Sequence, residues 1–251
     1  MTTARPPRPS KPSDETETPP ELYHALAWRY VGRPEFDLDA AASHENALAD
    51  AYYTQDGYYI RDDAPADPTT PAEPGVREVL VAKLSDADGL TGSWGWRQWV
   101  WVNPPYSDIE PWVVKAWAEM TKPAGTRPDG IVMLLPSRTD RPWWQTHIEP
   151  YRVGGRVGPV SGVELTVEHL GRVDFLRNGQ PIPATSPKTG EVLRRKDGRP
   201  RKGSPRFGVS VVVWRAVADG STMGEETSGA ASSAVVPHSS EVTSGEQTKV
   251  E

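Results

Sequence analysis

With 251 residues, 26 Pro, 22 Gly and a hydrophobic share of 36%, the chain has length for one domain and much loop or tail besides. Zero cysteines exclude a disulfide framework and cysteine-based metal sites. A net charge of −6 excludes an all-over basic surface, so a polyanion would have to be met by local basic patches. No charged-then-apolar leader opens the chain and no run of about 18 apolar residues occurs, so a soluble, cytoplasmic protein is expected.

Residues 1–18 are Pro, Thr, Ser and charge, and are expected to form a disordered tail. Thr18-Pro19-Pro20-Glu21 opens a helix running to about Tyr30: proline is tolerated in the first turn, and the early acid complements the helix dipole. Its buried face is read as Leu22, Leu26 and Tyr30. Glu35 to Asp39 reads as a strand with Phe36 and Leu38 on one face and Asp37 and Asp39 on the other. Two acids one pleat apart make poor core residues, and Ala40-Ala41-Ala42 after them leaves room for close approach. Ser43 to Asp50 reads as a short helix with Ser43 as cap and Asn46 at its third position, half of a capping box. Tyr52, Tyr53, Tyr58 and Tyr59 read as a packing patch. Residues 61–75, rich in Pro and acids, read as an inserted loop. Val76 to Leu84 is equally compatible with helix and strand, and Asp86, Asp88 and Gly89 follow as a turn.

Trp99 to Val102 is a short buried strand that stops at Asn103-Pro104-Pro105-Tyr106-Ser107. Trp94, Trp96, Trp99 and Trp101 are read as packing residues, Trp99 and Trp101 sharing a face. A helix from Ile109 to Met120 buries Ile109, Trp112, Val113 and Ala116. Gly130 to Leu135 is a continuous apolar run, the pattern of a fully buried parallel strand. It ends at Pro136, so Ser137-Arg138-Thr139-Asp140-Arg141 projects from the same sheet edge as Asn103, followed by a short helix with Trp143, Trp144 and a structural His147. Arg152–Val157, Gly162–Glu168 and Arg172–Leu176 read as strands, Asn178-Gly179 as a turn, and Val209–Trp214 as the last strand. Lys188 to Arg206 carries eight Lys or Arg against Glu191 and Asp197, the pattern of a mobile basic loop able to clamp DNA. A disordered tail is expected over 218–251.

The Asn-Pro-Pro-Tyr corner has a specific chemistry. Neither proline can donate to a ladder, so the strand must stop, and the residue before a proline is held extended. The result is a stiff turn at the carboxyl end of a strand, where ligands bind in open α/β sheets. The Asn103 side-chain oxygen and the Pro104 carbonyl can each accept one N–H of an exocyclic amine on a planar base, which localises the nitrogen lone pair. The Tyr106 ring can stack on that base, which must first leave its duplex.

Together with Phe36-Asp37-Leu38-Asp39-Ala40-Ala41-Ala42-Ser43, Glu45-Asn46-Ala47, Asp88-Gly89-Leu90 and Met133-Leu134-Leu135-Pro136-Ser137-Arg138-Thr139-Asp140, this corner resembles the phage-type DNA N-6-adenine methyltransferase family. The resemblance runs from about Thr18 to Trp214. It implies an α/β fold, an open and mostly parallel sheet of the S-adenosylmethionine-dependent methyltransferase type, reduced, with antiparallel C-terminal strands, over a domain at 19–217. It implies transfer of a methyl group from S-adenosylmethionine to adenine N6 in double-stranded DNA with the adenine flipped out. Asn103, Pro104, Pro105 and Tyr106 would be catalytic. Asp37, Asp39, Ala41, Thr18, Pro19 and Asp88 would hold the cofactor, Thr18-Pro19 at its methionine end. Ser107, Arg138, Arg141, Arg194, Arg195 and Lys196 would meet DNA. One departure stands: the wider class has a glycine-rich loop where this chain has Ala40-Ala41-Ala42. No metal is implied, and the lack of cysteine excludes the nucleophile of C5-cytosine methylation. Transfer to N4 of cytosine or to a glutamine amide, and a nucleic-acid-binding accessory protein without transfer, are the competing readings. Oligomeric state and recognition sequence are left open.

Overall fold

The computed structural model describes residues 16–62, 80–95, 98–158, 160, 162–186, 188–203 and 207–217. Residues 1–15 of the tail expected at 1–18, the tail expected at 218–251, most of the insertion at 61–75, and Trp96 lie outside the described residues. In chain order come α1 (Pro20–Tyr30), β1 (Leu38–Asp39), β2 (Ala51–Tyr53), β3 (Tyr58–Asp62), β4 (Leu80–Ser85) and β5 (Trp99–Val102). They are followed by α2 (Glu110–Met120), β6 (Gly130–Pro136), α3 (Pro142–His147), β7 (Val163–Gly171), β8 (Leu176–Arg177), β9 (Gln180–Pro181) and β10 (Val209–Ala216).

One sheet runs in the order β4-β3-β2-β1-β5-β6-β10-β7. Its centre, β2-β1-β5-β6, is parallel, as the apolar run of β6 implied. Both flanks are antiparallel: β10 and β7 on the C-terminal side, as expected, and also β3 and β4 on the other. The β3–β4 flank settles the open reading of Val76–Leu84 in favour of strand over Leu80–Ser85.

The sheet carries a core on each face. Alternation along β6 sends Ile131, Met133 and Leu135 to one and Val132 and Leu134 to the other. The first face is covered by α2 and α3 through Ile109, Val113, Ala116, Met120 and Trp144. The second is covered by α1 through Tyr23, Leu26 and Ala27. All of β6 is buried, and each large aliphatic side chain so removed from water stabilises the fold by about 1.5–3 kcal/mol. Glu119, 1% exposed, is accommodated at α2 by Lys115 and Lys122, both at 2.6 Å, and by the Trp94 N–H.

Several expectations are corrected. The buried face of α1 centres on Tyr23, Leu26 and Ala27 rather than on Leu22, Leu26 and Tyr30. The strand expected over Glu35–Asp39 is only Leu38–Asp39, because the chain bends at Asp37, so Phe36 and Leu38 fall on opposite cores. Ser43–Asp50 makes a single turn, although the Ser43 N–H does donate to Asn46 Oδ1 at 2.7 Å. Arg152–Val157 is a turn, reversed at Gly154 (φ 77), and the strand expected over Arg172–Leu176 is the short β8. The described part of Lys188–Arg206 is exposed but cross-bonded, with bridges Thr185↔Val192, Arg194↔Pro200 and Pro183↔Lys202. Thr16 and Glu17, assigned to a disordered tail, are docked: Glu17 bridges Leu176. The packing reading of the tyrosines holds, with Tyr52 and Tyr59 stacked at 5.7 Å across β2 and β3.

Candidate active site

From β1 the chain turns to β2 on one side, and from β5 it goes to β6 on the other, so the sheet order reverses between β1 and β5. In open α/β sheets the crevice beyond the carboxyl ends of such strands is the binding place. Here Asp39-Ala40 ends β1 and Asn103 follows β5, on neighbouring strands about 4.8 Å apart. The Ala40 N–H donates to Trp101 O at 2.9 Å, carrying the pairing to within two residues of Asn103.

The corner is rigid for the reasons its sequence gives. β5 stops at Val102, Pro104 is buried, and the Asp108 N–H donates to Pro105 O at 3.1 Å, leading into α2. The Asn103 amide is divided in use: Nδ2 donates to the Thr16 carbonyl at 3.4 Å, while Oδ1 is buried with no hydrogen-bond partner among the described residues. An orphaned buried acceptor costs about 1–3 kcal/mol. Tyr106 packs edge-on to Phe175 at 5.9 Å and tilted to Phe207 at 6.0 Å. Its hydroxyl is also buried and unpartnered, and burial pushes its pKa far above the ordinary phenol value, so it stays protonated.

The β1 side of the crevice is small and braced. Asp39 is 3% exposed; its carboxylate accepts the Ala41 N–H at 3.3 Å and the Leu48 N–H at 3.2 Å, so it shapes the alanine loop from within. Burial pushes its pKa up to about 6, against the opposing pull of those N–H groups and of Arg61. Asp88 accepts the Leu90 N–H at 3.1 Å and the Thr91 N–H at 2.8 Å, the turn role, and the Gly89 beside it packs on the Ala40 carbonyl. Thr18, just before α1, is buried with its Oγ1 unpartnered among the described residues.

The remaining sequence candidates are spread out. Asp37 stands at the opposite end of β5 from Asn103. It is paired with Arg33 at 2.5 Å and accepts the Trp99 N–H at 2.8 Å, so it braces the sheet rather than facing the crevice. Arg138 lies over the Phe207 ring at 5.4 Å, and Arg141 precedes α3 with Asp140 4.0 Å away; both are exposed at the carboxyl edge. Ser107 is partly buried in the corner. Arg194, Arg195 and Lys196 are exposed on the basic arm, where Arg194 donates to Gly198 O at 2.9 Å. Sequence reasoning missed Thr16, Glu17, Phe175 and Phe207. Only the aromatic character of the last two was a local signal.

Cavities of about 510 and 260 Å³ lie on the α2–α3 side, lined by residues such as Trp144, Glu149 and His169, and Trp117, His147 and Tyr151; neither is lined by Asn103 or Asp39. Asn103 is instead bonded through its amide nitrogen to the Thr16 carbonyl. Among the described residues no His, Asp and Glu cluster could hold a metal ion, and no helix is long and apolar enough to cross a membrane.

Residues 81–181 match the family described as DNA N-6-adenine-methyltransferase (Dam). This stretch contains Asp88-Gly89-Leu90, the Asn103–Ser107 corner and Met133–Asp140, and it bears out the resemblance carried by those residues. The chain is also similar to the DNA N-6-adenine-methyltransferase of Escherichia phage T1, 29% identical over 131 residues, 52% of this chain and 39% of that protein. It therefore spans well under half of that relative's length. A looser likeness is to PH1948 of Pyrococcus horikoshii, provisionally assigned as an RNA methyltransferase, at 13% identity, with 49% of this chain and 45% of that chain covered and a TM-score of 0.25.

Proposed function

We propose that this chain, of the Dam type over residues 81–181, transfers a methyl group from S-adenosylmethionine to the N6 amine of adenine in double-stranded DNA. The observation that carries the reading is the orphaned Asn103 Oδ1, a buried acceptor fixed by a proline corner at the point where the sheet order reverses. Among the described residues no N–H donor meets it, which leaves it open to a donor on a substrate. An exocyclic amine supplies one N–H to Asn103 Oδ1 and the other to the Pro104 carbonyl. Its lone pair then points out of the base plane, and positioning does most of the catalytic work. The Tyr106 ring holds the extruded base by stacking.

Bound S-adenosylmethionine supplies an electrophilic methyl group on a cationic sulfonium. The residues that fit it are Thr18, whose buried hydroxyl has no partner among the described residues, with Pro19, and the narrow Ala40-Ala41-Ala42 loop that Asp39 braces and the Asp88-Gly89 turn backs. Asn103 Oδ1 and the Pro104 carbonyl would each hold one N–H of the amine as it becomes cationic on methylation, and one of those two protons would then be lost to solvent. No step requires a covalent enzyme intermediate. Arg138, Arg141, Ser107 and the arm carrying Arg194, Arg195 and Lys196 supply phosphate contacts that the overall charge of −6 does not.

The test is methylation of plasmid DNA with S-adenosylmethionine followed by mass analysis of product nucleosides. N6-methyladenine is expected; N4-methylcytosine, or no methylated nucleoside, would overturn the assignment. Asn103→Ala should abolish transfer and leave cofactor affinity within a few fold. An accessory protein without transfer would show no thermal shift with S-adenosylmethionine or its demethylated product, whereas a ligand binding the native state raises the melting temperature.

A further inference from the structure

We infer that Thr16 and Glu17 are positioning residues that hold the Asn103 amide in its productive orientation. Resting on the methyl-transfer reading, this assigns a part in it to the segment ahead of α1. The Asn103 amide can be placed in two ways related by a half-turn. In one, Nδ2 donates to the Thr16 carbonyl at 3.4 Å and Oδ1 faces inward as a free acceptor. In the other, two carbonyl-type oxygens face each other and an NH₂ group points where an amine must arrive; donor would meet donor, and the base would be rejected. The Thr16 carbonyl selects the first.

Thr16 is in turn held by its neighbour. The Glu17 N–H donates to Leu176 O at 2.9 Å, and the Leu176 N–H returns a bond to Glu17 O at 3.0 Å. The Glu17 carboxylate then straddles the β8–β9 turn, one oxygen accepting the Asn178 N–H at 2.8 Å and the other the Gly179 N–H at 2.9 Å. That turn has both central residues at positive φ, Asn178 at 50° and Gly179 at 67°. Successive N–H groups in such a turn form a concave anion seat, and charge-assisted bonds to it are strong. One carboxylate thus ties the strap to a hairpin, and one carbonyl ties the strap to Asn103.

The experiment compares Glu17→Ala with the unaltered chain, each also carrying Asn103→Asp, which keeps an inward oxygen but has no Nδ2 to donate. In the otherwise unaltered chain, Glu17→Ala should lower kcat by on the order of 10- to 100-fold, with the Kd for S-adenosylmethionine and for DNA within a few fold. In the Asn103→Asp background it should change the residual kcat less than about twofold, because the contact through which it acts is gone. A second readout does not depend on activity. The Asn103 side-chain NH₂ resonance, recognised by its loss in Asn103→Asp, should exchange with solvent at least about tenfold faster in Glu17→Ala. Unchanged exchange, an equal loss of kcat in both backgrounds, or a rise in kcat would each overturn the inference, the rise identifying the strap as an inhibitory cover. If the unaltered chain methylates no DNA, the methyl-transfer reading fails and the positioning role falls with it. Amide exchange then still reports whether the strap holds Asn103.

Discussion

Gly89 faces the carbonyl of Ala40 so closely that a Cβ on it would stand 1.9 Å from that oxygen and 2.9 Å from the Trp112 ring. Two turns from separate strands thus share one thickness of backbone behind the alanine loop. Gly89→Ala must push the loop toward the crevice or the turn away from it. The expected outcome is a loss of about 1–3 kcal/mol in denaturant unfolding, together with weaker S-adenosylmethionine binding by calorimetry. Unaltered affinity would show that the Ala40–Ala42 loop forms no wall of the cofactor site.

Tyr106 separates the ring from its hydroxyl. The hydroxyl is buried without a partner among the described residues, so Tyr106→Phe should leave transfer within a few fold and raise stability by up to about 1 kcal/mol. Tyr106→Ala should weaken capture of the flipped base by about 1–3 kcal/mol, read from the affinity for DNA carrying an abasic or mismatched partner opposite the target. A destabilised Phe variant would mean that the hydroxyl is bonded after all.

Asp39 makes stability depend on pH in an unusual direction. Burial lifts its folded pKa to about 6 from 3.8, so the native chain binds this proton more tightly than the unfolded chain. The contribution of this group is therefore full below about pH 4, falls by on the order of 2–3 kcal/mol as pH rises to and through about 6, and levels off above. Asp39→Asn, neutral throughout, should flatten that slope in urea titrations across the window. A slope unchanged by the substitution would assign it to another group.

Arg194, Arg195 and Lys196 sit exposed on an arm whose strands are cross-bonded at Arg194↔Pro200 and Thr185↔Val192. If the arm lies along the phosphate backbone, replacing all three by Ala should lower the slope of log K against log salt by about 2–3, uniformly across DNA sequences. An unchanged slope would mark the arm as a solvated insertion.

What the sequence made legible was what neighbouring residues decide among themselves. The runs Trp99–Val102 and Gly130–Leu135 are apolar without a break, and Val209–Trp214 is broken only by Ser210; they became β5, which leads into the corner, and the neighbouring strands β6 and β10. The Asn103 corner needed only its two prolines. The reading failed where distant contacts decide. Alternation predicted one face for Phe36 and Leu38, but Asp37 is pulled aside by Arg33 and the Trp99 N–H, and the count slips. Glu17 looked like part of a polar tail because its partners, Leu176, Asn178 and Gly179, are far along the chain. Aromatic character did not say that Phe175 and Phe207 would flank Tyr106.

The anchorage of Glu17 on Asn178, 161 residues downstream, has a bearing on how the molecule is completed. A growing chain makes its proline corner early but has nothing to fasten the leading segment to until the late hairpin has been synthesised. Closures over such long sequence separations are slow. The Asn103 amide is thus secured late, and a nascent or C-terminally shortened chain that stops before the hairpin has its corner but no brace for Asn103.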